Sequence, residues 1–354
     1  MCRTTRWAPL VTRAGGNAGP TGGNRGAPAC DRGDVNLPPL DLGQLVGQAQ
    51  ARPGVLAVVV LVAVAYLVGV RRVPGWPLGR TAAFLAGLLV VVVATCSGIE
   101  AYGHVLEWMH MIEHLLLIMV APILLAIGSP LQLVAEALPP RAAAGWRAFL
   151  DRPVVSWLTS PPFAAAFYTV CVIGVHLTGL MDRAMAEDGV HVAEELAYLL
   201  AGMLLFQLVL GVRPGPWQLS GGGRMVLLAV MTPVDTVVGV VLLQTGTVAG
   251  GIGAGDHAHP RPDWALSAAA DTSAAGTTMW IAGTGIMGLV MLVVGLIWLH
   301  GRGPAPAGPG WTERARAATL AERTGEPERG DVDEDEAALE AYNRWLSRMA
   351  ERDR

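Results

Sequence analysis

Between Pro53 and His300 the chain carries seven apolar runs, near residues 54–70, 81–98, 104–127, 161–180, 190–212, 224–243 and 275–299. A bilayer core takes roughly 20 mostly apolar residues per helix, and these runs meet or approach that length. The first is the shortest and the sixth the most polar. Only 15% of the residues are charged against 52% hydrophobic, whereas soluble globular domains carry about a quarter charged residues. The expected fold is therefore all-α: a polytopic membrane protein, a bundle of about seven transmembrane helices over residues 53–300.

Loops rich in arginine resist translocation, so their distribution sets the orientation. Arg71, Arg72 and Arg80 mark the first loop, Arg141, Arg147 and Arg152 the third, and Arg213 and Arg224 the fifth. The alternate loops hold none, Arg183 alone and Arg261 alone. Seven spans in this pattern put the N-terminus outside, the C-terminus in the cytoplasm, and the 98–103, 181–190 and 244–274 loops outside, in a multi-pass protein of the plasma membrane. All 25 basic residues are arginine, and the net charge of −4 arises after Asp331, so charge says little about partners and points to no nucleic acid.

Residues 1–52 are rich in Gly, Pro and Asn, carry six arginines that would have to cross the membrane, and lack an apolar signal region. They are expected to be disordered, with the true start lying nearer Val35. Beyond His300, a Gly/Pro-rich linker leads to a charged tail over residues 301–354. There Ala338, Tyr342, Trp345 and Met349 recur at helical spacing, an amphipathic helix resting on the membrane or on a cytoplasmic loop. Cys2, Cys30, Cys96 and Cys171 form no C-x-x-C pair, which argues against a thiol carrier. The two halves do not look like inverted copies, which weakens a transporter reading.

The third run opens H-V-L-E-W-M-H-M-I-E-H, with His104, Glu107, His110, Glu113 and His114 in about three turns. His110 and His114 stand four apart, so their imidazoles leave one helix face and can meet one metal ion. Ionisable groups in a span are costly, and solvation alone explains such density poorly. His176 near the end of the fourth run, His191, Glu194 and Glu195 at the start of the fifth, and Asp271 before the seventh fall at the same membrane face. Imidazole with thioether from Met109, Met111, Met181 or Met185 suits copper better than magnesium or calcium, although the methionines read first as packing. His257 and His259 in the loop G-D-H-A-H-P read first as solvated. Asp235, inside the sixth run beside Pro233, is either part of a polar kinked helix or a protonated structural acid.

The blocks H-M-I-E-H-L-L-L-I-M-V-A-P-I-L-L-A-I-G-S-P-L (110–131), R-P-V-V-S-W-L (152–158) and H-V-A-E-E-L-A-Y-L-L-A-G-M-L-L-F (191–206) resemble the CtaG-type cytochrome c oxidase assembly factors. The resemblance extends over about residues 54–300, and A-Y-N-R-W-L-S-R-M-A in the tail is similar to the cytoplasmic extension of actinobacterial members. It implies a non-enzymatic role in copper supply or insertion during maturation of the oxidase, whose subunits are then the expected partners, with the lipid bilayer as the surroundings. On the matching positions it implies His110, His114, His176 and His191 as metal ligands, with Asp271, the acid before the last span, as a further ligand or as the partner that orients an imidazole. Glu195 stands where the family often has a second histidine, the tryptophan before the fourth-span histidine is absent, and Thr-Ser replaces paired glutamines after Asp271.

Two other readings use the same residues. His110-Met-Ile-Glu-His114 is also H-x-x-E-H, the pattern of an inverted zincin, with Glu113 as general base of a membrane zinc metallopeptidase. Alternatively, His114 with His176 or His191 would ligate a haem iron from opposite sides.

Overall fold

The computed structural model describes residues 37–178, 180–210, 217–247 and 262–300. Among them every regular element is a helix. The expected start near Val35, the His257/His259 loop and the amphipathic tail lie outside the described residues.

Residues 37–52, expected to be structureless, pack against the bundle. Asp41 caps α1 (Leu42–Gly47) by accepting from Gln44 N. Tyr102 Oη donates to Pro38 O, Trp264 Nε1 donates to Leu37 O, and Leu37, Leu40 and Leu45 cover Ile99 and Tyr102. Such contacts join residues far apart in sequence, so no local pattern announces them.

Helices α2 (Pro53–Arg72) and α3 (Leu78–Cys96) are the first two spans, joined by a turn in which Gly75 has φ 80°. The short α4 (Gly98–Gly103) ends at His104. The third span begins at Glu107 instead of His104 and runs to Ala137, because residues 104–106 turn and Leu106 is extended. It comprises α5 (Glu107–Leu115), a π-helical turn (Leu116–Val120), α6 (Ala121–Ile127) and α7 (Pro130–Ala137). This span is the centre of the bundle: 67% of its 18-residue apolar stretch is buried, against 6% for that of α2. The π turn has a local cause: Pro122 has no N–H, so the Ile118 carbonyl receives no ordinary helical hydrogen bond from that position. Ser129, in the left-handed region at φ 51°, bends the span just before Pro130.

Short helices α8 (Pro140–Leu150) and α9 (Pro153–Leu158) lead to α10 (Pro161–His176), which Ser160 caps through Phe163 N. At 16 residues α10 is shorter than the expected fourth run, so the described residues hold six helices long and apolar enough to cross a membrane, and this shorter apolar one. After α11 (Leu180–Ala186) come α12 (Asp188–Val209), α13 (Gly221–Thr247) and α14 (Ala268–Leu299). Helices α13 and α14 meet backbone to backbone: a Cβ on Gly239 would strike Gly276 O, and one on Gly276 would strike Gly239 O and Leu243 N. Close approach through small residues is the usual way apolar helices associate where water supplies no driving force. Valines and leucines of α2, α13 and α14 are left exposed, as a lipid-facing surface requires.

Candidate metal centre

Three devices fix where α5 and α12 present their polar side chains. The first is a cap supplied from another helix. Leu106, at the N-cap of α5, offers no side-chain bond. Asp271 in the first turn of α14 takes its place, its two oxygens accepting from Glu107 N at 3.0 Å and Trp108 N at 3.2 Å. Thr272 Oγ1 adds a bond to Glu107 Oε2 at 2.6 Å. The second device is the π turn, which shifts the register of the residues after His114. The third is Gly202, whose missing Cβ lets α12 lie against Ile118 O and Pro122 Cγ.

Together they gather His110 and Glu113 and His114 from α5, His176 from α10, and His191, Glu194 and Glu195 from α12. All seven are buried, none more than 7% exposed. The His110 and His114 rings are 4.1 Å apart, and His191 lies 5.5 Å from His110. Glu194 sits among the three: Oε1 is 3.2 Å from His114 Nε2, while Oε2 is 3.9 Å from His110 Nε2 and 3.6 Å from His191 Nδ1. Glu113 faces His110 Nδ1 at 3.8 Å and His191 Nε2 at 3.5 Å.

The protons can be followed inward from a backbone carbonyl. His176 Nδ1 lies 2.7 Å from Val172 O, an acceptor, so Nδ1 carries the hydrogen and Nε2 the lone pair. His114 Nδ1 is 3.2 Å from that Nε2 and therefore donates to it. The lone pair of His114 is thus left on Nε2, facing a Glu194 oxygen. Tyr198 stacks on His114 at 4.4 Å and bonds His176 Nδ1, fixing both rings. Two acceptors 3.2 Å apart repel unless a cation lies between them, either a proton or a metal ion.

The same conclusion follows from satisfaction. His110 Nε2, His114 Nε2, both His191 nitrogens and all four oxygens of Glu113 and Glu194 make no hydrogen bond among the described residues. Buried polar atoms are ordinarily bonded, and a concentration of exceptions asks for a reason. Three overlapping groups bring one donor atom from each member within 4.8 Å: His110, His191 and Glu194; Glu113, His191 and Glu195; and Glu100, His104 and His191. Imidazole nitrogen with carboxylate oxygen is a donor set for a divalent transition metal such as copper or zinc.

The structure therefore brings His110, His114, His176 and His191 into one cluster and places Asp271 on the backbone that positions them. His176 has both nitrogens engaged inside the protein. Met111 and Met109 pack: Met111 Sδ contacts His176 Nε2 at 3.1 Å, and Met109 lies with Tyr102 and Leu106. The 3.2 Å contact between His114 Nδ1 and His176 Nε2 leaves no space for a haem iron between those two rings. Glu194 and Glu195 lie outside the ligand set that the resemblance implies, although their spacing from His191 puts them on its helix face. Arg52, which donates to Glu195 Oε1 across 143 residues of sequence, has no sequence signal. Asp235 lies deeper, accepting from Tyr168 Oη at 3.2 Å.

The family model for the cytochrome c oxidase caa3 assembly factor (Caa3_CtaG) matches residues 64–300. An uncharacterized protein of Mycobacterium bovis is 30% identical over 304 residues, covering 82% of this chain and 43% of that protein, and one of Mycobacterium tuberculosis gives the same figures. An uncharacterized protein of Mycobacterium leprae is 29% identical over 245 residues, 64% of this chain and 36% of its own length. The chain thus spans less than half the length of these curated relatives. No solved structure matches.

Proposed function

The chain belongs to the cytochrome c oxidase caa3 assembly factor family, and from that membership we propose that it binds copper at the extracytoplasmic end of its helix bundle and supports copper insertion into the oxidase in the plasma membrane. The observation that carries this reading is the buried His114 Nε2 facing Glu194 Oε1 at 3.2 Å, with both atoms otherwise unbonded. His110, His114, His191 and Glu194 are the donors. His176 positions His114, and Asp271 positions the first turn of α5. Copper is cargo here, so the donors need to hold it and release it to an oxidase subunit, and no residue is assigned a catalytic step. The H-x-x-E-H pattern is read accordingly: Glu113 faces two imidazoles and neutralises charge in the cluster instead of activating water.

Metal analysis of the purified protein tests this. Tightly bound copper is expected in the wild type and lost in the His110→Ala/His114→Ala double variant. A deletion strain is expected to lose oxidase activity under copper limitation and to recover it partly with excess copper, since mass action replaces a delivery step. Full oxidase activity in the copper-limited deletion strain would refute the assembly role, and copper held by the double variant as tightly as by the wild type would refute the site.

A further inference from the structure

The cluster does not stop at the buried donors. Its mouth holds Glu100 and His104, on the turn between the second and third spans. His104 Nε2 is 3.4 Å from Glu100 Oε1, and its ring is 5.1 Å from that of His191. The His104 side chain is 37% exposed, while that of His191 is 4% exposed. His191 is thus the hinge of the arrangement. Its Nε2 faces Glu113 and Glu195 at 3.5 Å each, its Nδ1 faces Glu194 at 3.6 Å, and neither nitrogen makes a hydrogen bond.

Arg52, just before α2, lies across this mouth. It donates to Glu195 Oε1 and stands 3.8 Å from Glu100 Oε1. A guanidinium keeps its proton at any ordinary pH, so it is a fixed positive charge on the very oxygens an arriving cation would use. Its side chain is 21% exposed, and ion pairs with access to water are weak enough to exchange.

Resting on the copper reading above, we infer that Glu100, His104 and His191 form a second, outer cation site, latched by Arg52, through which divalent copper passes to His110, His114 and Glu194 by way of the shared His191 ring. An ion first meets the exposed imidazole of His104. It then displaces Arg52 from Glu100 and Glu195, and it reaches the buried donors without leaving nitrogen or carboxylate coordination.

The test uses the full chain in detergent, with Cu(II) alone as the probe, in the wild type and in His104→Ala, Arg52→Gln and His110→Ala/His114→Ala variants. The double variant is expected to retain a weak Cu(II) ion that adding His104→Ala removes. His104→Ala alone is expected to slow loading of the buried site by about tenfold, leaving its equilibrium affinity unchanged, and Arg52→Gln to speed loading. The opposite directions matter, since general misfolding would not accelerate loading. Wild-type loading rates in His104→Ala, or slower loading in Arg52→Gln, would overturn the outer site. If those results came with tightly bound copper lost in His110→Ala/His114→Ala, the copper reading would stand without it. A wild type that binds no copper would overturn both.

Discussion

His114 Nδ1 lies 3.2 Å from His176 Nε2, and this contact settles which His114 nitrogen can face a cation. The lone pair on Nε2 is left facing Glu194 because a neighbouring ring accepts the proton on the other side. His176→Ala removes that acceptor, and the expected effect is a 10–100-fold loss of copper affinity, the usual scale for such supporting residues. His176→Gln, whose amide oxygen can accept from His114, is expected to recover part of it. Copper titration of the two variants decides: equal losses would make His176 a ligand and not a support.

Gly202 sets how closely α12 approaches the π turn. A Cβ there would run into Ile118 O, which cannot move without disturbing the span that carries His110 and His114. Gly202→Ala is expected to destabilise the protein by about 1–3 kcal/mol, as overpacking does, and to weaken copper binding by moving Glu194 away. Gly174→Ala, where a Cβ meets nothing within 4 Å, is the control. Unfolding of both variants in detergent is the measurement, and a Gly202→Ala protein as stable as the control would dismiss the close-packing account.

Asp271 is expected to act on α5 and not on the ion. Asp271→Ala should cost about 1 kcal/mol in stability through the lost cap. Asp271→Asn keeps an acceptor for Glu107 N and should retain most of the copper affinity. A direct ligand would lose affinity in both variants alike.

Much of this was legible in the sequence, and the exceptions share a physical reason. Length and apolarity announce a span, and alternating arginine loops bring His110, His176 and His191 to one end by counting crossings. Side-chain azimuth and helix register are not counted that way. Pro122 imposes a π turn through a missing N–H, His104 falls outside the span because an extended Leu106 interrupts the helix, and Asp271 caps a helix 164 residues away. The Arg52 to Glu195 bond and the packing of residues 37–52 are equally non-local.

Glu100, outside the spans, gives a pH signature. Burial alone raises its pKa, but the hydrogen bond and charge of His104 and the charge of Arg52 outweigh it and hold the carboxyl below its ordinary 4.5. A depressed folded value means the carboxylate stabilises the fold above pH 4.5, and this contribution is lost as pH falls through the folded value. Glu100→Gln is therefore expected to lower the unfolding midpoint at pH 6–7, with the gap to wild type closing in acid. A gap that widened below pH 4.5 would reverse the assigned sign. Copper binding has its own dependence, since protons compete with the metal for imidazole nitrogen and carboxylate oxygen, and it is expected to weaken as pH falls.

Orientation is the last expectation, and the copper reading depends on it. Arg52 ties the start of α2 to the His/Glu cluster, and the 20 residues of α2 carry the chain to Arg71 and Arg72, about 30 Å away along the helix axis. The third span likewise starts beside the cluster and is followed by Arg141, Arg147 and Arg152. Arginines thus collect in the loops remote from the histidines, whereas Arg52 at the histidine end is already paired with carboxylates. By the positive-inside rule the remote end is expected to be cytoplasmic. Reporter fusions after residues 150 and 300 are expected to score cytoplasmic, and a fusion within 250–260 to score outside. A cytoplasmic score for the 250–260 fusion would turn the cluster toward the cytoplasm, and delivery of copper to an oxidase from the outer face would then be untenable.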